Sequence, residues 1–542
     1  MDSWWKEAVF YHVYLRSFQD SNGDGIGDLK GLINRLDYIA NLGADAIWVS
    51  PFYESPHVDF GYDISNHKAV DPRYGTLEDF EILTKEANKR GLKIVVDIIL
   101  NHTSDEHPLF QESRKSRDSE KRNWFIWRDP KSDGSPPNNW EGFERSSWTF
   151  DEETQQYYYH FHYTQQPDLN WRNPEVVEEM MSICDFWIDK GAAGLRLDAI
   201  NYLVEDPNFR DNPIVDTVPD YLRNIFQFNQ DPIYNINHPE NHQILQNLRQ
   251  HIRSNHPEDP LLIGEIWVPN TQEIRKYYGT NDNELQLPFN FLLSTVPDFN
   301  AITFREMLQD FEENLGDVPT TVVLSNHDFP RATVRYAEEK DSDEVAKLLG
   351  TFLLTLRGIP FIYYGEELGL RDYPPETIEE VQDPRGRLRW PDYKGRDGCR
   401  TPMPWTDAPQ GDFTTGQPWY KLPSDYQQRN VATQEKDSHS ILNHYKQVIK
   451  LRRNLSALRR GKLIVLGDDP SVLAYLRTDG QTEALILLNM SGDRQEFDLT
   501  SFPELLTKSW SMVLSTDGQS ESKILSDKLF LAPFEGLITT SE

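Results

Sequence analysis

Apolar residues along this chain come in short β-rich runs, each followed by a longer stretch with helical spacing of its apolar positions. The runs are VFYHV (9–13), AIWVSP (46–51), KIVVDII (93–99) and GLRLDAI (194–200), then LLIGEIW (261–267), LQLPFNF (285–291), TTVVLSNHD (320–328) and IPFIYYGEE (359–367). Segments such as LEDFEILTKEANKRG separate them and carry their apolar residues on one helical face. Eight strands alternating with helices predict an α/β protein built on a (β/α)8 TIM barrel.

Two intervals break this rhythm. Residues 103–169 are rich in Trp, Tyr, Ser, Asp and Pro and are too long for a simple connection. They are expected to form a subdomain inserted after the third strand, between a first barrel part (1–102) and a second (170–461). An irregular insertion at about 367–435 follows the eighth run. Residues 462–542 alternate apolar and polar, as in VLAYLRT and EALILLNMS, and predict a C-terminal antiparallel β-sandwich.

Composition narrows the function classes. Of 542 residues, 38% are apolar and 12% aromatic, enough to fill a substantial core. The 55 basic and 87 acidic residues leave a formal charge of −32, a surface that repels nucleic acid and anionic lipid. It suits a neutral substrate. The N-terminal MDSWWKEAVFYHVY lacks a basic region leading into an apolar run, and no stretch has the roughly 18 apolar residues of a membrane span. Cys184 and Cys399 are expected to be free thiols in a cytoplasmic protein, either a monomer or a small homo-oligomer.

In such a barrel, groups at the C-terminal ends of strands converge on one pocket. Those positions here carry Asp97, His102, Arg196, Asp198, Glu265, His327 and Asp328. Strand alternation puts Arg196 and Asp198 on one face, with Leu195 and Leu197 on the other. The guanidinium is expected to lower the pKa of Asp198 and keep it an ionised nucleophile. Glu265, among Ile263, Ile266 and Trp267, is expected to have a raised pKa suited to a proton donor. Glycoside hydrolysis needs two carboxyl groups tuned apart in this way, 5–5.5 Å apart for retention.

DIILNHTS (97–104), GLRLDAI (194–200), GEIW (264–267), SNHD (325–328) and QPDLN (166–170) together resemble the α-amylase family of retaining α-glycosidases, in its oligo-1,6-glucosidase and α-glucosidase branch. The resemblance covers nearly the whole chain. It implies Asp198 as nucleophile, Glu265 as acid/base and Asp328 as the carboxylate holding sugar hydroxyls. It further implies that His102 and His327 bond the glucose, that Arg196 orients Asp198 and that Asp97 is a structural acid beneath the site. Tyr62 resembles the stacking platform under the terminal glucose. Asp59 with Arg400 resembles the pair that grips its 4-hydroxyl and closes the pocket. Phe161, in YYYHFH, is a further candidate at the pocket mouth. The implied activity is exo-acting α-glucosidase chemistry on short oligosaccharides or disaccharides, leaning to α-1,4 bonds because Ala199 stands where a Val accompanies α-1,6 cleavage. A transglucosylase or isomerase shares the motifs, and a non-catalytic binding relative lacks the acids found here.

The loop DSNGDGIGD (20–28) offers Asp20, Asn22, Asp24, the Ile26 carbonyl and Asp28 at alternating spacing, with three glycines that let it curl. Its twelfth position is Gly31, so it is not an EF-hand. The same loop in similar α-glucosidases holds calcium or magnesium, which implies a structural Ca2+ (or Mg2+) and no organic cofactor. An Asx-rich turn without metal is the alternative.

Overall fold

The computed structural model of the chain describes residues 3–217, 229–518 and 527–541. The eight apolar runs form eight parallel strands: β1 (Phe10–Val13), β2 (Ala46–Val49), β3 (Lys93–Ile99), β4 (Gly194–Asp198), β5 (Leu261–Glu265), β6 (Leu287–Phe289), β7 (Thr321–Val323) and β8 (Ile359–Tyr363). Their lateral order is β6-β5-β4-β3-β2-β1-β8-β7. The ends of that order meet at Thr321, whose Oγ1 accepts from the Asn290 backbone N–H (3.3 Å) and donates to the Pro288 carbonyl (3.2 Å). The sheet thus closes as a barrel.

Period-two alternation separates two apolar layers. Leu195, Leu197, Ile47 and Val96 pack outward with the helices, while Trp48, Ile263, Phe289 and Phe361 fill the interior. Arg196 stands directly opposite Asp97 in the β3–β4 register, so the polar groups share the interior face. The helices between strands are capped as their sequences dictate. Thr76 and Asp79 form a capping box at Leu77–Lys89, and Asn173 caps Pro174–Asp189.

Between β3 and β4, Trp127–Arg128, Trp148–Asp151 and Gln156–Tyr159 form a three-stranded antiparallel sheet. Single bridges His102–Asp168 and Phe125–Leu169 tie this segment back to the top of β3. Beyond the barrel, Lys462–Leu466, Val472–Thr478, Glu483–Asn489, Gly536–Ser541 and Trp510–Ser515 form a five-stranded antiparallel sheet. The pair Gln495–Asp498 and Lys528–Leu531 packs over it through Leu485, Leu487, Phe497 and Leu531, making a second layer. Cys184 and Cys399 are buried free cysteines. Among the described residues no helix is long and apolar enough to cross a membrane.

Candidate active site

A cavity of about 550 Å³ opens at the C-terminal ends of the strands, lined by Asp59, Tyr62, His102, Asp198, Glu265 and Asp328 among others. Its volume is that of a small-molecule site. The segments after β2, β3 and β8 build the walls, and the ends of β4, β5 and β7 supply the acids.

Arg196 organises the floor. Its Nη1 lies 2.7 Å from Asp97 Oδ1 and 2.5 Å from Asp198 Oδ1, and its Nη2 lies 2.7 Å from Glu265 Oε2. The guanidinium is 1% exposed, so these contacts operate with little water to screen them. Burial pushes the Asp198 carboxyl up to about 6, against the opposing pull of Arg196. The expected net lowering of Asp198 is therefore not found: desolvation outweighs the guanidinium, whose one charge is shared among three acids. Glu265 is raised to about 8, first by burial and then by the negative charges of Asp198 and Asp328, with Arg196 opposing. Its order above Asp198 matches a proton donor beside a nucleophile.

The turn after β4 completes this pair. Ala199 adopts a left-handed φ of 52°, which aims its backbone N–H at Glu265 Oε2 from 3.1 Å. Trp267 Nε1 donates to Glu265 Oε1 at 3.2 Å. Asp198 and Glu265 are held side by side by Arg196, which lies within 2.7 Å of both.

A second guanidinium organises the far wall. Arg396 lies 2.7 Å from Asp59 Oδ1, 2.9 Å from Asp328 Oδ1 and 2.8 Å from Asp383 Oδ1. Burial alone would raise Asp328, but His327, Arg396 and Arg400 together hold its carboxyl far below the usual range, so it is ionised. Tyr62 donates to Asp97 Oδ2 (3.1 Å), its hydroxyl lies 2.8 Å from His327 Nε2, and the two rings are parallel. Burial lowers His102 and His327 to about 3, so both are neutral near pH 7.

The alpha amylase catalytic-domain family matches residues 12–461, most of the chain. The chain belongs to the alpha-amylase family. It is 42% identical to a probable alpha-glucosidase of Rhizobium meliloti, over 90% of each chain. It is 36% identical to an oligo-1,6-glucosidase of Parageobacillus thermoglucosidasius, over 99% of this chain and 98% of that one. Among solved structures, an alpha-glucosyl transfer enzyme superposes with a TM-score of 0.93 at 37% identity, each chain covered completely.

In this alpha-amylase family chain, two positions differ from the sequence reading. Arg400 does not meet Asp59 directly; it donates to the His327 carbonyl (2.7 Å) and approaches Asp328 Oδ1 (3.2 Å). Arg396 is the partner of Asp59, because the tight turn Asp397–Arg400 separates the two arginines and directs Arg400 beneath β7. Phe161 is fully buried, stacked on Tyr202 at 4.2 Å, and lies outside the cavity lining. The strand ends at Tyr159, so alternation no longer governs the next residues, and His162 reaches the cavity instead. Sequence reasoning also missed Arg396, four residues before Arg400.

The loop 20–28 closes on its own polar groups. Asp20 Oδ1 accepts from the Asn22 and Gly23 N–H groups at 2.8 Å, and Asp24 Oδ1 accepts from Ile26 N–H at 2.8 Å. Asp28 caps Leu29–Asn34 by accepting from Gly31 N–H at 2.7 Å. Gly25, at φ 89°, is required because a Cβ would collide with the Gln417 carbonyl oxygen. The donor set is oxygen throughout, the type a hard cation takes, while both carboxylate oxygens of Asp20 and Asp28 already accept hydrogen bonds.

Proposed function

We propose that this chain is a retaining, exo-acting α-glucosidase that removes terminal non-reducing α-linked glucose from short oligosaccharides or disaccharides. One observation carries the reading. Asp198 and Glu265 share Arg196 in a cavity whose lining also holds the Asp59–Arg396 pair. Glu265, protonated near neutral pH, gives its proton to the glycosidic oxygen as Asp198 Oδ attacks the anomeric carbon. That breaks the glycosidic bond and leaves a covalent glucosyl ester on Asp198. Glu265, now a carboxylate, takes a proton from water, whose oxygen displaces Asp198 and restores both groups. Asp328, ionised, accepts hydrogen bonds from sugar hydroxyls, and His102, His327 and Tyr62 flank the same ring. Asp59 and Arg396 accept from and donate to the terminal 4-hydroxyl, and Arg400 steadies Asp328 from behind.

Ala199 lines the cavity beside the nucleophile and supports the lean toward α-1,4 bonds. Incubation with maltose, isomaltose, sucrose and trehalose, with products followed by NMR, tests the reading. Glucose released first as the α-anomer supports it, and β-glucose overturns retention. Transfer is the second reading, favoured by the similarity to an alpha-glucosyl transfer enzyme. In that case the ester on Asp198 passes to a sugar hydroxyl, and longer products accumulate.

The 20–28 loop fits Ca2+ or Mg2+ through Asp20, Asn22, Asp24, the Ile26 carbonyl and Asp28. The ion's part is structural: it holds the loop after β1, and no step of the chemistry passes through it.

A further inference from the structure

Behind one wall of the cavity, three ligand-type side chains converge that the reaction above does not need as a group. His102, His162 and Asp168 bring one ligand atom each within 4.8 Å of one another, and they are the one such trio among the described residues. We propose that His102, His162 and Asp168 form a binding site for a zinc-class divalent cation, and that filling it excludes the sugar.

The topology makes the cluster. His102 and Asp168 are bridged backbone to backbone where the inserted segment returns to β3. His162 folds over them from the end of the strand Gln156–Tyr159, with its ring centroid 4.7 Å from that of His102.

Two polar atoms are left over in this packing. Asp168 is 0% exposed and His162 is 8% exposed, yet Asp168 Oδ2 and His162 Nδ1 both lack a hydrogen-bond partner. No ion pair to Asp168 occurs among the described residues. Unpaired buried polar atoms of this kind destabilise the fold, and a cation between them removes both deficits. His102 Nε2 lies 3.1 Å from Gln166 Nε2 and 3.2 Å from the Tyr62 carbonyl, so this nitrogen gives up its Tyr62 contact when it takes a cation. Asn101 Nδ2 lies 3.3 Å from His102 Nδ1, and Asn101 Oδ1 has no partner.

Two imidazoles and one carboxylate favour zinc, copper or nickel over calcium or magnesium, which prefer oxygen. Tetrahedral zinc bonds of about 2.0–2.2 Å place ligand atoms roughly 3.3 Å apart, so side-chain rotations must close the remaining gap. The fourth position faces the cavity, because His102 and His162 line it and Asp168 does not. A cation there takes His102 away from the sugar. That blocking half rests on the assignment of the cavity to a terminal glucose; the binding half does not.

The test is zinc titration of the whole protein against a chromophoric chelator, with calcium and magnesium present to occupy the 20–28 loop. One tight equivalent is expected, weakened roughly 100-fold or more in His162→Phe and His162→Gln. It should be retained in His251→Ala, which removes a surface histidine beside Asp185 and His256. Equal zinc affinity in the parent and both folded His162 variants, or loss of the equivalent in His251→Ala, overturns the site. A measurement on the unaltered protein covers the case where the variants do not fold. Zinc and a glucose-like inhibitor such as deoxynojirimycin should bind exclusively, each raising the other's apparent Kd. Tight zinc binding with simultaneous inhibitor binding refutes the blocking while leaving the glucosidase reading to its own product test.

Discussion

Arg396 Nη2 lies 2.7 Å from Asp59 Oδ1, although the two residues are 337 positions apart. The same guanidinium bonds Asp328 and Asp383, so one cation serves two buried acids and a partly buried one. Breaking a buried ion pair by removing one partner costs about 3–5 kcal/mol, because the other charges stay buried. Arg396→Ala should lower kcat/KM on maltose by about 10²–10³-fold, more than Arg396→Lys. Steady-state kinetics with thermal melts on the same samples check this. Unchanged kcat/KM in a folded Arg396→Ala protein removes Arg396 from the site.

Arg196 and its three acids set the pH response. Activity requires Asp198 ionised and Glu265 protonated, so kcat/KM should rise through about pH 6 and fall through about pH 8. The two carboxyls interact, so these limits belong to the pair. A pH–rate profile of kcat/KM decides it, and a flat profile from pH 5 to 9 contradicts the roles.

Glu265 should also cost the fold stability in mildly basic solution. Its folded pKa of about 8 lies above its ordinary value of 4.5. Between these values the folded protein keeps a proton that the unfolded chain has released, so stability falls as pH rises through that window. Glu265→Gln cannot titrate there. Its melting temperature should decline less than the parent's between pH 5 and 9, while its activity falls by roughly 10³-fold or more. Parallel declines for the two proteins would refute the shifted pKa.

The exo reading predicts the order of products. A maltoheptaose-like chain should lose one glucose at a time if the Asp59–Arg396 pair on the cavity wall stops the chain beyond the terminal ring. Chromatography early in the reaction checks it. Mid-sized fragments appearing first would show an open cleft.

Removing the loop ion should act on stability before chemistry. A ligand bound only by the folded state contributes about 2.7 kcal/mol at a hundred times its Kd. Chelator treatment should therefore lower the melting temperature by a few degrees, restored by calcium or magnesium, and Asp24→Ala should abolish the response. Metal analysis of the purified protein measures the ion directly, and an ion-free protein with an unchanged melt ends the claim.

Much of this molecule could be read from the linear pattern. Eight apolar runs with helical segments between them became the eight strands, because burying both faces of a parallel strand demands continuous apolar residues. Strand alternation alone put Arg196 and Asp198 on one face, and the motifs around Asp198, Glu265 and Asp328 brought their residues to one cavity. What the linear pattern could not determine were quantities set by packing. The pKa of Asp198 depends on how completely the barrel excludes water, and desolvation there exceeds the pull of an arginine two residues away. Whether Arg396 or Arg400 faces Asp59 depends on a tight turn in a segment with no periodicity to read. His162 lines the cavity where Phe161 was expected for the same reason, since period-two alternation stops where the strand stops. The cluster of His102, His162 and Asp168 exists only in three dimensions. Its members come from a strand end, a loop and a returning segment, and only backbone pairing between distant stretches brings them together.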